Sequence, residues 1–160
     1  MPRTGSADRE RVWRRARREA ASEPVTLTDA GPLIALIDAG EPDHERCTEA
    51  LAQLALPLLT TWPAFTEAMY LLGRAGGWPG QQALWRLVLR EDLVIAEASP
   101  ASNRRAAHLM ERYADRPMDL ADATLVVVAE ERGLSRIFTL DSDFHIYRIN
   151  GRKRFDLIPT

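Results

Sequence analysis

Met118-Asp119-Leu120-Ala121-Asp122-Ala123-Thr124-Leu125-Val126-Val127-Val128-Ala129 is the stretch on which the reading of this chain turns. It predicts a helix that opens on two carboxylates and runs at once into a block of Leu, Val and Ala, with Gly133 placed to close it. Residues three apart share a helix face, so Asp119 and Asp122 point roughly the same way. The simplest account is a cap, with Asp119 at the N-cap, Asp122 at N3, and both favouring the positive end of the helix dipole. Taken alone, that account wins. It stops being sufficient once Asp29, Glu67, Asp141 and Asp143 are placed, because each of these also falls at a strand end or a helix start. Those are the positions at which an α/β sheet assembles its site.

Moving outward, the chain alternates strands and helices. Val25-Thr26-Leu27-Thr28 reads as a β-branched strand ending at Asp29, and Pro32 suits the start of a helix bearing Leu33, Ile34, Leu36 and Ile37. Asp43 can cap a helix from about 44 to 54 with Cys47, Leu51 and Leu54 inward. Leu58–Thr61 is a short buried strand entering a helix near Pro63, which carries Glu67 and is stopped by Gly76-Gly77. A helix over 81–89 leads to the strand Leu93–Ala96. Ser99-Pro100 opens a helix to about Tyr113, and the helix headed by Asp119 follows. Strands at Arg136–Thr139 and Phe155–Ile158 complete the pattern. Such alternation predicts an α/β sheet, mainly parallel and covered by helices on both faces.

Length and composition set the bounds. The chain has 160 residues, 46% apolar and 28% charged, which suits one folded domain with a real core. A single cysteine, Cys47, allows no internal disulfide and no thiolate metal cluster, so a reducing compartment, the cytoplasm, is expected. No apolar run reaches the roughly 18 residues of a membrane helix, so no membrane partner is expected. Net charge is −2, but residues 1–24 hold seven Arg against four acids, which leaves −5 on the remainder. The organisation read from this is an Arg-rich extension, 1–24, with Val12 and Trp13 almost its only large apolar residues, followed by a domain over 25–160. An acidic body does not bind nucleic acid by simple phosphate neutralisation.

Most catalytic classes fail on the residues. No Gly-x-Ser-x-Gly elbow surrounds any serine, Cys47 lies on the apolar face of a helix, and His44, His108 and His145 lack zinc spacing. Gly73, Gly76, Gly77 and Gly80 lie between helices rather than in a phosphate loop. A phosphatase of the haloacid dehalogenase type needs a second Asp two residues after the first, where this chain has Gly31. What remains is a set of carboxylates from four separate segments: Asp29, Glu67, Asp122 and Asp141. A right-handed doubly wound sheet brings those ends to one edge. Clustered carboxylates either share protons or bind a hard cation through oxygen, which selects Mg²⁺ or Mn²⁺. Such ions bind a phosphodiester and activate water, and they also turn an acidic hollow into a phosphate site.

Four blocks of sequence in this order resemble the PIN domains, and more closely the VapC-type toxin ribonucleases of bacterial toxin–antitoxin pairs. They are Thr28-Asp29-Ala30-Gly31-Pro32-Leu33-Ile34-Ala35-Leu36, Phe65-Thr66-Glu67-Ala68-Met69-Tyr70-Leu71-Leu72, Met118–Leu125 and Phe138-Thr139-Leu140-Asp141-Ser142-Asp143-Phe144. The resemblance spans about Val25 to Ile158. It implies a PIN-like three-layer sandwich and a Mg²⁺- or Mn²⁺-dependent endoribonuclease acting on structured RNA such as tRNA or rRNA. It also implies a homodimer, inhibited by a cognate antitoxin. Asp29, Glu67 and Asp122 would form the acidic core with Asp141 as the fourth acid. Asp119 matches a supporting acid, Asp143 a position of structural or metal-related role, and Thr139 a residue beside the pocket. The chain departs from the family in carrying Ala30 and Gly31 where many relatives have a hydroxyl after the first Asp, and in its Arg-rich head. For that head the expectation is that Arg14, Arg15, Arg17 or Arg18 meets RNA phosphate or folds back onto the acids. The competing non-enzymatic reading is a PIN-like scaffold that binds RNA or protein without catalysis.

Overall fold

The computed structural model describes residues 10–13, 25–116 and 118–160. Leu58 and Leu59 show how the core is divided: as neighbours on one strand they point to opposite faces, and each enters a different apolar cluster. The sheet that separates the clusters has five strands, β1 (Leu27–Thr28), β2 (Leu58–Thr61), β3 (Leu93–Ala96), β4 (Arg136–Phe138) and β5 (Asp156–Ile158). Their spatial order is β3-β2-β1-β4-β5. Every pairing between these strands is parallel, with Leu27 opposite Leu59 on one side and Ile137 on the other. The architecture is therefore the three-layer α/β sandwich expected from the alternation, its sheet wholly parallel rather than mainly so.

One face is covered by α1 (Ala30–Ile37), α2 (His44–Leu51), α3 (Trp62–Gly76) and α4 (Trp78–Leu89). Leu33, Leu51, Phe65, Leu72 and Leu84 from these helices pack with Leu58, Leu93 and Phe138 of the sheet. The other face is covered by α5 (Pro100–Arg112) and α6 (Leu120–Arg132), whose Ala106, Leu109, Leu125, Val126 and Ala129 meet Leu27, Leu59 and Ile137. Helix α6 is the Asp119 helix of the sequence reading. It buries residues 125–129 without a break, which is why its apolar run shows no amphipathic spacing. Gly133 ends it in the left-handed conformation, at φ 65°.

Differences from the sequence expectation are local. Helix α4 begins at Trp78, not at 81, because Pro79 at the start of a helix costs no hydrogen bond. Helix α2 ends at Leu51, while Leu54 remains buried in the turn beyond it. Helix α1 starts at Ala30, directly behind Asp29. The segment 10–13 is helical and does not stand off from the domain: Trp13 is only 6% exposed and Val12 packs beside it. Trp13 sits in a depression shared with Leu36 and Ile37 of α1 and Ala83 and Leu87 of α4, and Glu10 pairs with Arg90 at 2.7 Å. An aromatic ring of that size gains more from this shelter than the short segment could provide by itself. The arginines at 14, 15, 17 and 18 lie outside the described residues, and so do the roles expected of them.

Candidate active site

From β1 the chain steps outward to β2 and β3 on one side, while β4 and β5 fill the other, so the winding reverses between β1 and β4. The crevice at the carboxyl ends of such a pair is where doubly wound sheets place ligands. Asp29 leaves the end of β1 there, its amide bonded to the Phe138 carbonyl at 3.0 Å, and Asp141 follows the end of β4. Glu67 comes from α3, and Asp119 and Asp122 from the start of α6. All five acids line one hollow of about 240 Å³, together with Ala30, Gly31 and Leu140. The four acids singled out from separate segments are thus brought together, with Asp119 beside them.

The cap accounts also hold, and the two readings coexist. Asp29 is the N-cap of α1 and accepts from the Ala30 amide at 2.7 Å through Oδ1. Asp119 is the N-cap of α6 and accepts from the Asp122 amide at 2.8 Å. Asp141 caps the 3₁₀ turn Ser142–His145 by accepting from the Asp143 amide at 2.8 Å. Each cap fixes one oxygen of its carboxylate. Thr139 donates its hydroxyl to Oδ2 of Asp29 at 2.9 Å and accepts from the Asp141 amide at 3.0 Å. One hydroxyl thereby ties the first acid to the loop bearing the fourth. It stands beside Asp29 in a chain that has no hydroxyl residue directly after it. Asp143 does not line the hollow; its amide serves the Asp141 cap and its carbonyl accepts from Ile146.

Among the described residues the electrostatics of the hollow are those of like charges held close together. Asp122, 6% exposed, has its pKa pushed up to about 7, first by burial and then by the charges of Asp119 and Asp29. Asp29, 8% exposed, is raised by burial, which outweighs its hydrogen bonds from Ala30 and Thr139. Glu67 is raised by partial burial and by Asp29, Asp119 and Asp141. Desolvation and like charge both penalise the ionised form, and at all three acids burial is the leading influence, with neighbouring carboxylates adding to it. The acids line the hollow without being drawn to a point: among the described residues no three His, Cys, Asp or Glu side chains are already gathered closely enough to coordinate one ion. The donor set nonetheless suits a hard divalent cation, being all oxygen, anionic and mutually repelling.

One contact in this site had no signal in the sequence. Tyr147 is buried at 1% exposure, and its phenol donates to Oδ2 of Asp122 at 3.0 Å. Its own proton is held more tightly than in a free phenol, by burial first and by the Asp122 charge next. Tyr147 lies 25 residues from its partner in a polar loop without periodicity, so only its closeness to Asp141 and Asp143 could have drawn notice. The exclusions made on other residues agree with the structure. Cys47 is fully buried and its thiol is pushed up to about 11 by burial, while His44 meets the Ala35 carbonyl through Nδ1 at 2.6 Å.

Comparison with known proteins agrees with this geometry. The family model of the PIN domain matches residues 26–150. Ribonuclease VapC26 of Mycobacterium tuberculosis is 31% identical over 134 residues, covering 83% of this chain and 99% of the relative. Among solved structures, Mycobacterium tuberculosis VapC20, a sarcin-ricin loop cleaving toxin, superposes at a TM-score of 0.69 with 21% identity, covering 74% of this chain and 91% of that one. A toxin–antitoxin complex from Klebsiella pneumoniae superposes at 0.57 with 22% identity, covering 74% and 89%. Fold, crevice and matched length lead to one assignment: the chain belongs to the PIN domain family, as a VapC-type member.

Proposed function

We propose that this protein is a toxin endoribonuclease of the VapC type, in which Asp29, Glu67, Asp122 and Asp141 hold one or two divalent cations, Mg²⁺ or Mn²⁺. The observation that carries this reading is the gathering of five carboxylates in one hollow at the ends of β1 and β4, with Asp29, Glu67 and Asp122 resisting ionisation. The ribonuclease activity of the 31% identical relative supports the reaction class. When bound, such a cation polarises a phosphodiester and lowers the pKa of water toward neutrality.

The chain's own groups supply the rest. Asp29 is fixed on both oxygens, by the Ala30 amide and by Thr139, so it is a rigid anchor at the sheet edge. Asp122 lines the hollow and has its Oδ2 held by Tyr147. Asp119 acts as a supporting acid: one of its oxygens accepts from the Asp122 amide and so fixes the residue that holds the cation. Thr139 orients Asp29, and Asp143 keeps the turn beside Asp141 in shape. In-line attack of water on the scissile phosphate leaves a 5′-phosphate and a 3′-hydroxyl. The substrate is structured RNA, tRNA or rRNA; the protein acts in the cytoplasm as a homodimer and is silenced by a cognate antitoxin. A toxin–antitoxin complex among the structural neighbours fits that last partner. Among the described residues no helix is long and apolar enough to cross a membrane. The catalytic unit spans 25–160, with Trp13 of the segment 10–13 packed into its core.

Incubation of the full chain with total tRNA and rRNA tests the proposal. Cleavage is expected with Mn²⁺ or Mg²⁺ and to vanish in EDTA, and Asp122→Asn is expected to fold yet lose at least about a thousandfold in rate. Cleavage by Asp122→Asn at the wild-type rate would refute the site. Absence of cleavage together with retained RNA or protein binding would instead favour the scaffold reading.

A further inference from the structure

Asp122 is constrained from several sides. Its backbone amide is spent on Asp119 Oδ1 at 2.8 Å, its position is fixed by the first turn of α6, and its side chain is almost wholly buried. What remains free is rotation of the carboxylate about its own axis, which a terminal sp²–sp³ torsion leaves broad. The phenol of Tyr147 removes that freedom by donating to Oδ2 at 3.0 Å. Tyr147 is itself held by edge-on packing of its ring against Phe144 at 5.2 Å and 83° and against Tyr113 at 5.2 Å and 69°. Phe144 in turn meets Phe155 edge-on at 5.4 Å, and the Tyr147 amide bonds to the Asp143 carbonyl at 3.2 Å. A chain of aromatic contacts thus anchors the hydroxyl that grips the acid, and the same loop carries Asp141 and Asp143.

We infer that Tyr147 is the positioning residue for Asp122: by occupying Oδ2 it turns Oδ1 into the hollow as a cation ligand and couples the start of α6 to the loop that bears Asp141. This rests on the proposed metal site. The hydrogen bond keeps the acid presented edge-on whether or not RNA is present, so its loss is felt in cation affinity before any chemistry. Partners that orient a ligating carboxylate in this way are typically worth about ten- to a hundredfold in metal affinity.

The experiment compares the full-length wild type with Tyr147→Phe, which keeps the ring and its packing and removes only the hydroxyl. Free Mn²⁺ is titrated by electron paramagnetic resonance without RNA, and thermal midpoints are recorded in EDTA. Tyr147→Phe is expected to bind Mn²⁺ about ten- to a hundredfold more weakly. Its RNA cleavage is expected to recover toward wild type as Mn²⁺ is raised, with KM for RNA unchanged. In an Asp122→Asn background the same substitution is expected to change Mn²⁺ affinity no further. A Tyr147→Phe protein with a lower midpoint but wild-type Mn²⁺ affinity would overturn the inference, since that is the mark of a purely structural tyrosine. The metal-site reading fails separately: wild type that binds no Mn²⁺ removes that site and this inference together, whereas wild type that binds Mn²⁺ but cleaves no RNA removes only the nuclease.

Discussion

Helix α6 carries two carboxylates of opposite character, one buried and one half-buried. Asp122 lies in its first turn and Glu130 near its end, eight residues and therefore about 12 Å apart. Glu130, whose side chain is 8% exposed, receives two hydrogen bonds from Arg105 of α5, at 2.8 and 2.9 Å, and a third from the Asn150 amide at 2.8 Å. Burial alone would raise its pKa, yet the guanidinium and the amide overcome that and hold it below the ordinary carboxylate value. Asp122 has Tyr147 for a donor and acids for neighbours, and is pushed up to about 7. The same helix thus ends in a completed ion pair and begins in an incomplete one. At the far end of α6 the fold neutralises a charge with an arginine; at the sheet crevice the described residues place more acid beside Asp122, an arrangement that suits a cation arriving from solution.

Breaking each half should therefore have effects of opposite sign. Arg105→Ala leaves Glu130 buried with only an amide, and because Arg105 is itself 32% exposed the expected loss is about 2–3 kcal/mol of stability. Asp122→Asn removes a charge that the metal-free fold disfavours, and is expected to stabilise it at pH 8 by about 2 kcal/mol, less than the full value of its shift because the Tyr147 contact changes too. Chemical denaturation of the two variants in EDTA reads both. Destabilisation of Asp122→Asn at pH 8 would mean that the acid already has a cationic partner within the protein.

Legibility in the sequence follows the same division. The strand–helix alternation and the four acids could be read because each element announces itself locally: a β-branched run before Asp29, an N-cap and a valine block around Asp122, glycines at 76, 77 and 133. Cap and catalytic readings of one Asp stand as rivals in the sequence, and the structure makes them compatible, since each capping carboxylate also lines the hollow. What stayed hidden joins distant residues without a repeat. Tyr147 reaches Asp122 across 25 positions, and Arg105 reaches Glu130 across another 25. Trp13 was read within a segment with little to bury because its shelter lies on α1 and α4, which no local pattern ties to it. The start of α4 was missed for a different reason, as Pro79 and Gly80 suggest a breaker until Pro is seen in the first turn.

The pH dependence of stability sharpens the contrast. For Asp122 and Asp29 the folded-state pKa lies above the ordinary 3.8, so the folded protein binds more protons than the unfolded chain above that value. Stability then falls as pH rises, for Asp122 across about 4 to 7. Glu130 acts the other way: its folded pKa is lowered, so its contribution is fully present above the ordinary 4.5 and is lost as pH falls through the folded value. Metal-free protein is accordingly expected to be most stable in mild acid, with thermal midpoints declining toward pH 8. Asp122→Asn should flatten that decline, and Mn²⁺ at pH 8 should restore the midpoint by binding only the folded form. A midpoint that climbs steadily from pH 5 to pH 8 in EDTA would show the acids of the hollow to be compensated after all.

Thr139 offers the finest adjustment, because it acts within the incomplete half without carrying charge. Its hydroxyl both donates to Asp29 Oδ2 and accepts from the Asp141 amide, so a single atom sets the spacing between the first and fourth acids. Thr139→Val keeps shape but leaves a buried carboxylate oxygen and a backbone amide each short of a partner, an expected cost of about 1–2 kcal/mol in stability. Thr139→Ser retains the hydroxyl and should restore most of it. Cleavage rates should follow the same order, with Val about tenfold below Ser, a difference of roughly 1.4 kcal/mol in the barrier. If Val and Ser were equally active while Val alone lost stability, Thr139 would belong to the scaffold, as Arg105 does. If Ser kept the activity that Val lost, the hydroxyl would be part of what holds the acids ready for a bound cation.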